Sequence, residues 1–257
     1  MEVTTHRPGT FCWVDLNTTD PVAAKRFYSE LFGWKTEDLP TPAGPYTMLR
    51  IGNDDVAALS ALSAEMKKAG ARPSWTSYVL VKDLEETTRK VTGAGGKVVM
   101  PPMEVMDVGR MAMIQDPTGA TLALWQAKKH AGAKRVNEPG ALCWNELNTR
   151  DLGKAGKFYE TVFGWKQKLS ETPVKYVEFQ AQEKSIAGMM ELGKELAGVS
   201  PHWQVYFEVK DIDASAQRIK SLGGKILVEP RDIPKVGRFA VAQDPQGAVF
   251  SLLKMAQ

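Results

Sequence analysis

Residues 8–35 read PGTFCWVDLNTTDPVAAKRFYSELFGWK, and residues 139–166 read PGALCWNELNTRDLGKAGKFYETVFGWK. The motifs Pro-Gly, Cys-Trp, Leu-Asn-Thr, Phe-Tyr and Phe-Gly-Trp-Lys return in the same order, which indicates an internal repeat. Two later stretches repeat as well, PSWTSYVLVKDL as PHWQVYFEVKDI and VGRMAMIQDPTGA as VGRFAVAQDPQGA. The sequence therefore predicts two homologous domains, residues 8–126 and 139–254. Between them, the glycine and basic residues of 127–138 predict a linker exposed to solvent.

The composition is that of a soluble globular chain. Its 257 residues contain 33 Lys and Arg against 30 Asp and Glu, and a net charge of +3 is too small to predict binding to nucleic acid or to a membrane surface. Two cysteines are too few for a disulfide framework or a four-cysteine zinc site. The N-terminal residues MEVTTHRPG lack the apolar core of a signal peptide, and no run is apolar enough for a membrane span. We therefore expect a cytoplasmic protein.

Each half also carries a shorter pattern of strand, helix and further strands. An alternating strand at residues 11–17 leads into a helix that Asp20 can cap, with a proline at its first position and Gly33 after its last. Later in the half, a strand at 75–81 leads into a helix that Asp83 can cap. The closing strands of the two units fall at residues 46–51, 56–61, 110–115 and 121–125. The pattern occurs four times, so the sequence predicts an α+β fold of four βαβββ modules.

The order of these features resembles that of the vicinal oxygen chelate superfamily, which contains glyoxalases, extradiol dioxygenases and bleomycin-resistance proteins. The features are a strand, an aspartate-capped helix with Phe-Tyr that ends in Phe-Gly-Trp, and a final hairpin with Asp-Pro-x-Gly, and they cover both halves. The motif Cys-Trp-x-(Asp/Glu)-Leu-Asn-Thr is similar to that of tandem bacterial members labelled glyoxalase-like or hydroxylase. The resemblance implies two tandem domains, each with two modules whose sheet curls into an open, barrel-like cleft.

In metal-dependent members of that family, the ligands come from the inner faces of four strands. Carried over by position, the four places in the first half hold Trp13, Ala58, Thr76 and Ala123, and those in the second half hold Trp144, Gly188, Gln204 and Ser251. Only Gln204 can donate to a metal, and one amide oxygen does not hold a divalent ion. The three histidines are isolated along the sequence, at His6, His130 and His202. We therefore expect no metal and no other cofactor, which disfavours glyoxalase and ring-cleaving dioxygenase activity.

Strand alternation identifies the side chains that face each cleft, because every second residue of a strand shares a face. With Trp13 inward, the first cleft also receives Phe11, Asp15 and Asn17, while Cys12, Val14 and Leu16 pack against the helix. The second cleft receives Leu142, Trp144, Glu146 and Asn148. The neighbouring strands add Thr76, Tyr78, Trp125, Gln204, Tyr206 and Glu208. Arg110 and Arg238 each follow a glycine and are candidates to pair with the acids or to bind an anionic group.

These residues leave three classes of function open. The first is a metal-free protein that binds a small hydrophobic or aromatic molecule in the tryptophan-lined clefts. The second is a cofactorless enzyme in which Asp15 or Glu146, with a pKa raised by the apolar cleft, is the general acid or base and Tyr78 or Tyr206 its partner. The third is a residual metal enzyme of the glyoxalase or dioxygenase kind.

A purely structural alternative is that the two cleft tryptophans fill a space that has lost its metal. The expected partner is a small molecule, with no nucleic acid and no membrane. The sequence leaves the oligomeric state open, a homo-oligomer included.

Overall fold

The computed structural model describes residues 1–170 and 175–256. In the first half, the strands are β1 (Phe11–Thr18), β2 (Lys35–Leu39), β3 (Tyr46–Ile51), β4 (Asp54–Ala61), β5 (Ser74–Leu80), β6 (Lys97–Val105), β7 (Gly109–Gln115) and β8 (Thr121–Ala127). Its helices are α1 (Pro21–Phe32), α2 (Ala64–Lys68) and α3 (Leu84–Gly93).

The second half follows the same order of elements. Its strands are β9 (Leu142–Thr149), β10 (Lys166–Leu169), β11 (Tyr176–Ala181), β12 (Lys184–Glu191), β13 (His202–Glu208), β14 (Lys225–Ile233), β15 (Gly237–Gln243) and β16 (Val249–Met255). Its helices are α4 (Leu152–Phe163) and α5 (Ile212–Ser221), and a short 3-10 turn covers Lys194–Leu196. None of the helices in the described ranges is long and apolar enough to cross a membrane.

Each half forms one open sheet of eight strands. The order in the first sheet is β2-β3-β4-β1-β5-β8-β7-β6, and the second sheet repeats it as β10-β11-β12-β9-β13-β16-β15-β14. Strand β1 pairs parallel with β4 and antiparallel with β5, so it joins the two modules at the centre of the sheet. The predicted fold of four βαβββ modules in two tandem domains is confirmed. The edge strands β2 and β6 carry little apolar alternation, and they were not located from the sequence.

The predicted helix signals are present in α1. The Asp20 side chain accepts hydrogen bonds from the backbone N–H groups of Val22 and Ala23, and Gly33 ends the helix with a φ of 74°. This left-handed conformation is open to glycine at no steric cost. The same cap, Asp151 before and Gly164 after, bounds α4.

The two sheets bury their helix-bearing faces against each other. Helix α1 packs beside α5 of the other half, and α3 packs beside α4. One apolar cluster joins Phe27 and Trp75 to Phe207 and Phe250, and a second cluster joins Leu84 to residues of α4 and β11. The core is therefore shared between the halves, and the opposite face of each sheet is left to form a cleft.

Repeated motifs make reciprocal hydrogen bonds across this core. Trp34 of the first Phe-Gly-Trp donates its indole N–H to the carbonyl of Gly140, at 2.8 Å. Trp165 of the second donates to the carbonyl of Gly9, at 2.7 Å. Each tryptophan thus contacts the Pro-Gly motif of the other half, which explains why the two motifs recur together.

The linker is exposed or half-buried over most of its length, but two of its residues are buried. Gly132 and Ala133 are buried, and the Ala133 N–H donates to the carbonyl of Cys12 in β1 at 2.8 Å. The glycine has a φ of 115°, and a side chain there would overlap the Cys12 carbonyl. A residue without a Cβ lets the linker lie directly on the first sheet.

Candidate functional site

The first cleft is built around Asp15 at the centre of β1. Asp15 lies opposite Ala58 of β4 and Thr76 of β5 and is only 5% exposed. Its Oδ2 atom accepts hydrogen bonds from the hydroxyls of Tyr78, at 2.7 Å, and Tyr46, at 3.2 Å. Two neutral donors on one buried carboxyl oxygen fix its orientation.

A tryptophan extends this network. The indole N–H of Trp13 donates to the Tyr46 hydroxyl oxygen at 3.1 Å, so the chain of hydrogen bonds runs from Trp13 through Tyr46 to Asp15. Trp13 is 4% exposed. Both ends of the network therefore lie within the protein.

The second cleft repeats the arrangement around Glu146. Glu146 lies opposite Gly188 of β12 and Gln204 of β13 and is 7% exposed. Its Oε1 atom accepts from the Tyr206 hydroxyl at 2.8 Å, and the indole N–H of Trp144 donates to the Tyr176 hydroxyl oxygen at 2.8 Å.

Burial sets the pKa of both acids. It raises the pKa of Asp15 to about 6, while the hydrogen bonds from Tyr78 and Tyr46 act in the opposite direction. Burial likewise raises the pKa of Glu146, against the hydrogen bonds of its own tyrosines. The pKa of Tyr78 lies well above the usual range because of burial and then because of the charge on Asp15. The phenols thus stay protonated, while the pKa of Asp15 moves towards neutral pH and that of Glu146 moves in the same direction.

Sequence reasoning missed Tyr46 and Tyr176, which complete the two networks. They fall at corresponding positions of the internal repeat, each at the start of the strand that enters its cleft. That recurrence was the available signal. Sequence reasoning also missed that the site requires a glycine at position 188. A Cβ there would overlap the Tyr176 hydroxyl.

The first residues of β1 and β9 do not face the clefts as predicted, because a bulge interrupts the strand pairing there. The strand register shifts between Phe11 and Trp13. Phe11 therefore packs with Trp203 on the helix side, at 5.1 Å between ring centroids, while Cys12 joins Trp13 and Tyr78 in the cleft cluster. The pairing of β9 with β13 contains the same irregularity, and Leu142 lies in the shared core.

The two arginines predicted to face the clefts lie elsewhere. Arg110 shares its face of β7 with buried Ala112, which packs in the core on the helix side. Its guanidinium pairs with Glu85 of α3, at 2.5 Å, and with Glu104 of β6, at 3.2 Å.

Arg238 is placed in the same way in the second half. It pairs with Asp213 of α5, at 2.8 Å, and Asp232 of β14, at 3.1 Å. These exposed ion pairs hold each helix to its sheet, so neither arginine is a ligand contact in the clefts.

The other predicted residues take places around the acids. Ser60 donates to Asn17 at 3.3 Å, and Thr76 lies half-buried beside Asp15. Gln204 is buried and donates its amide to the Ser251 hydroxyl at 3.2 Å. Asn148, Glu208 and Trp144 are half-buried in the second cleft, and Trp125 is buried in the first.

The two clefts differ in what covers them. In the first, the ring of His130 from the linker stands edge-on to Trp13, at 4.5 Å between centroids, and Trp125 donates its indole N–H to the His130 carbonyl at 2.8 Å. His6 also reaches this segment, with its Nε2 atom 2.7 Å from the carbonyl of Ala133. In the second cleft, Trp144 and Tyr176 keep partly exposed surfaces. Trp144 is therefore more exposed than its counterpart Trp13, which is only 4% exposed.

The side chains present do not fit a divalent metal. Within residues 1–170 and 175–256, no three His, Cys, Asp or Glu side chains come together. Of the family's ligand positions in the second cleft, Gln204 is already bonded to Ser251, and Gly188 has no side chain. Divalent ions need several imidazole or carboxylate donors on one frame.

Comparison with known proteins agrees with the repeat and the fold. The family model described as Glyoxalase/Bleomycin resistance protein/Dioxygenase superfamily matches residues 10–124 and again residues 129–252. The chain therefore belongs to this superfamily, and the resemblance drawn from the sequence motifs is confirmed.

Several relatives match almost the whole chain. "Putative glyoxylase CFP32" of Mycobacterium tuberculosis is 45% identical over 255 residues, which cover 98% of this chain and 97% of that protein. "Anthracycline biosynthesis protein DnrV" of Streptomyces peucetius is 36% identical over 269 residues, covering 99% of this chain and 96% of that protein. Among solved structures, the Mn(II)-bound glyoxalase from Novosphingobium aromaticivorans has a TM-score of 0.66 at 17% identity, over 96% of this chain and 82% of that one, a likeness of fold.

Proposed function

We propose that the protein binds a small planar aromatic molecule in its second cleft, without a metal. The observation that carries this proposal is a pair of hydrogen bonds in that cleft, from the Trp144 indole to the Tyr176 hydroxyl and from the Tyr206 hydroxyl to Glu146. It places a half-exposed indole beside a buried carboxyl group in a cleft that the linker does not cover. An aromatic wall with few convergent polar groups is the usual lining of a small-molecule site.

The ligand face of Trp144 is held in place before anything binds. Its N–H is already bonded to Tyr176, and the hydroxyl of Tyr176 sits in the space that Gly188 leaves open. A side chain held in this way loses little conformational entropy when a ring stacks on it. Geometry of this kind favours flat, rigid ligands.

The carboxyl group defines the polar end of the ligand. When ionised, Glu146 only accepts hydrogen bonds, so a hydroxyl or N–H on the aromatic ring matches it. The name of one relative refers to anthracycline biosynthesis. Anthracyclines are planar ring systems with phenolic hydroxyls, and this chemistry agrees with the proposed class.

A second candidate is acid–base catalysis in the same cleft. It is favoured by the raised pKa of Glu146 and by the neighbouring Tyr206 hydroxyl, which remains protonated. An acid whose pKa lies closer to neutral is suited to proton transfer. Glu146→Gln separates the two functions. If the protein is only a binder, the variant keeps most of its affinity. If it is an acid–base enzyme, the turnover rate of the variant falls about 10²–10⁴-fold while binding is largely unchanged.

Calorimetric titration of the full chain with 2-naphthol tests the binding proposal. We expect Trp144→Ala to weaken binding by about 1–3 kcal/mol, the range for a lost aromatic contact. Arg238→Ala is the matched control, because Arg238 lies outside the cleft, and it should bind as the unchanged protein does. The proposal fails if 2-naphthol does not bind at millimolar concentration, or if Trp144→Ala leaves its affinity unchanged.

A further inference from the structure

The linker forms a strap over the first cleft, which we define as residues 130–136. The backbone N–H of His130 donates to the carbonyl of Val108 at 3.0 Å, and the backbone N–H of Ala133 donates to the carbonyl of Cys12 at 2.8 Å. The Lys134 N–H donates to the carbonyl of Asp55 at 2.8 Å. The strap is thus bonded to β1, to β4 and to the turn before β7.

The N-terminal residues hold the strap from outside. The Val3 N–H donates to the carbonyl of Lys134 at 2.7 Å, and Glu2 forms a β-bridge with Arg135. Arg135 also pairs with Asp54 at 2.7 Å. Closure of the first cleft is therefore a defined arrangement of two peptide segments.

With the strap in place, two buried polar atoms have no hydrogen-bond partner within the described ranges. Among the described residues, the Oδ1 atom of Asp15 and the Nε2 atom of His130 are buried without a hydrogen-bond partner. Asp15 is 95% buried, since only 5% of it is exposed, and it lies on the cleft face of β1. A buried acceptor without a donor lowers the stability of the closed state, so an occupant that supplies the donor gains free energy that the strap does not.

The strap meets the tryptophans of the first cleft without face-to-face stacking. His130 meets Trp13 at 85° between ring planes and Trp125 at 73°, so neither indole is stacked face to face. The residues that follow are small, Ala131, Gly132 and Ala133. A flat ring would use both indole faces more fully than this segment does.

We propose that the first cleft is a second ligand site, closed by residues 130–136 and opened by a planar aromatic molecule that donates a hydrogen bond to Asp15. The ring takes the place of His130 against Trp13, and its hydroxyl or N–H meets the Oδ1 atom of Asp15. For the class of ligand this inference rests on the proposed function of the second cleft. The site itself uses different residues.

Hydrogen–deuterium exchange of the strap amides tests the proposal. The probe is 2-naphthol, and naphthalene is the matched control because it lacks the donor. We expect 2-naphthol to speed exchange at Ala133 and Lys134 at least tenfold and naphthalene to have little effect. Asp15→Ala should abolish the response, because it removes both oxygens that could accept the ligand's hydrogen bond.

A second variant keeps the test decisive if Asp15→Ala does not fold. His130→Ala removes the ring that occupies the cleft, so the strap should open more often and 2-naphthol should bind the first cleft severalfold more tightly. A merely structural His130 would change the melting temperature and leave this affinity unaltered. The proposal is overturned if 2-naphthol leaves the hydrogen–deuterium exchange rates of the strap amides unchanged both in the unchanged protein and in His130→Ala.

Trp144→Ala makes the two proposals separable. It removes the aromatic wall of the second cleft and should leave the strap response to 2-naphthol intact. If binding in the second cleft fails while the strap still responds, the proposed function is wrong and the second site stands. If the second cleft binds 2-naphthol and the strap does not respond, the proposed function stands and the proposal of a second site in the first cleft is wrong.

Discussion

The hydroxyl of Tyr28 in the first half donates to the Oδ2 atom of Asp244 in the second half, at 3.0 Å. The other oxygen of Asp244 accepts three backbone N–H groups of its own Asp-Pro-x-Gly turn, at 2.8 to 2.9 Å. One carboxyl group therefore holds both a local turn and the opposite half. Tyr159 makes the reciprocal bond to Asp116, at 2.9 Å.

Replacing Tyr28 tests how much this bond contributes to stability. Tyr28→Phe leaves Asp244 with one oxygen unpartnered, and it also removes the acceptor for the Trp75 indole N–H. We expect the free energy of unfolding to fall by about 1–3 kcal/mol, because both groups are buried. Urea denaturation measures it. Ser221→Ala removes an exposed hydroxyl bonded only within its own helix, and should change stability by less than about 0.5 kcal/mol.

The fold followed from the sequence because its signals are local and occur twice. The caps Asp20 and Gly33 and the alternation of Leu16 with its neighbours need no knowledge of the partner half. The bulge beside Phe11 depends on pairing with a distant strand, so it left no local pattern. For this reason Phe11 was assigned to the wrong face.

The candidate site was predicted only in part. Trp13 and Asp15 follow from alternation along one strand, whereas Tyr46 reaches Asp15 across two strand pairings. The two arginines were assigned to the clefts because each follows a glycine in a motif that recurs in both halves. The structure supplies such partners, among them Glu85 on the helix above Arg110.

Buried Asp15 makes stability depend on pH. Its pKa rises from 3.8 to about 6 on folding, so the folded protein holds the proton more tightly than the unfolded chain. The stabilisation is complete below about pH 4 and is lost as the pH rises through about 6.

The matched variant is Asp15→Asn, which cannot titrate. Between about pH 4 and pH 7, the unfolding free energy of the unchanged protein should fall relative to that of the variant, by an amount on the order of 3 kcal/mol at most. Urea denaturation across this range measures the difference. A constant difference between the two proteins would show that Asp15 does not carry a raised pKa.

Gly188 is expected to control the geometry of the second cleft. Gly188→Ala places a Cβ where the Tyr176 hydroxyl lies, so Tyr176 must move away from Trp144. We expect the affinity for 2-naphthol to fall at least about tenfold, a change of roughly 1.4 kcal/mol. Gly198→Ala is the control, because nothing lies within 4 Å of a Cβ at that position. Equal affinities of the two variants would contradict the role given to Tyr176.

The chemistry of the clefts also predicts how the protein responds to chelators. Because its carboxylates are bonded to tyrosines and not grouped with other ligands, we expect well under one equivalent of zinc, nickel, iron or manganese per cleft. The melting temperature should be the same with and without EDTA, since no metal is linked to folding. Elemental mass spectrometry and calorimetry measure the two quantities. Stoichiometric metal lost together with stability would contradict the assignment of the cleft residues.

The strap is tied at both ends to strands of the molecule whose cleft it covers. A tethered segment competes for a site at an effective concentration on the order of millimolar, whatever the concentration of the protein. The strap is bonded to the first half, so a free ligand competes with it at Asp15 and not at Glu146. The two clefts, although built alike, would therefore respond to one compound over two separate ranges of concentration.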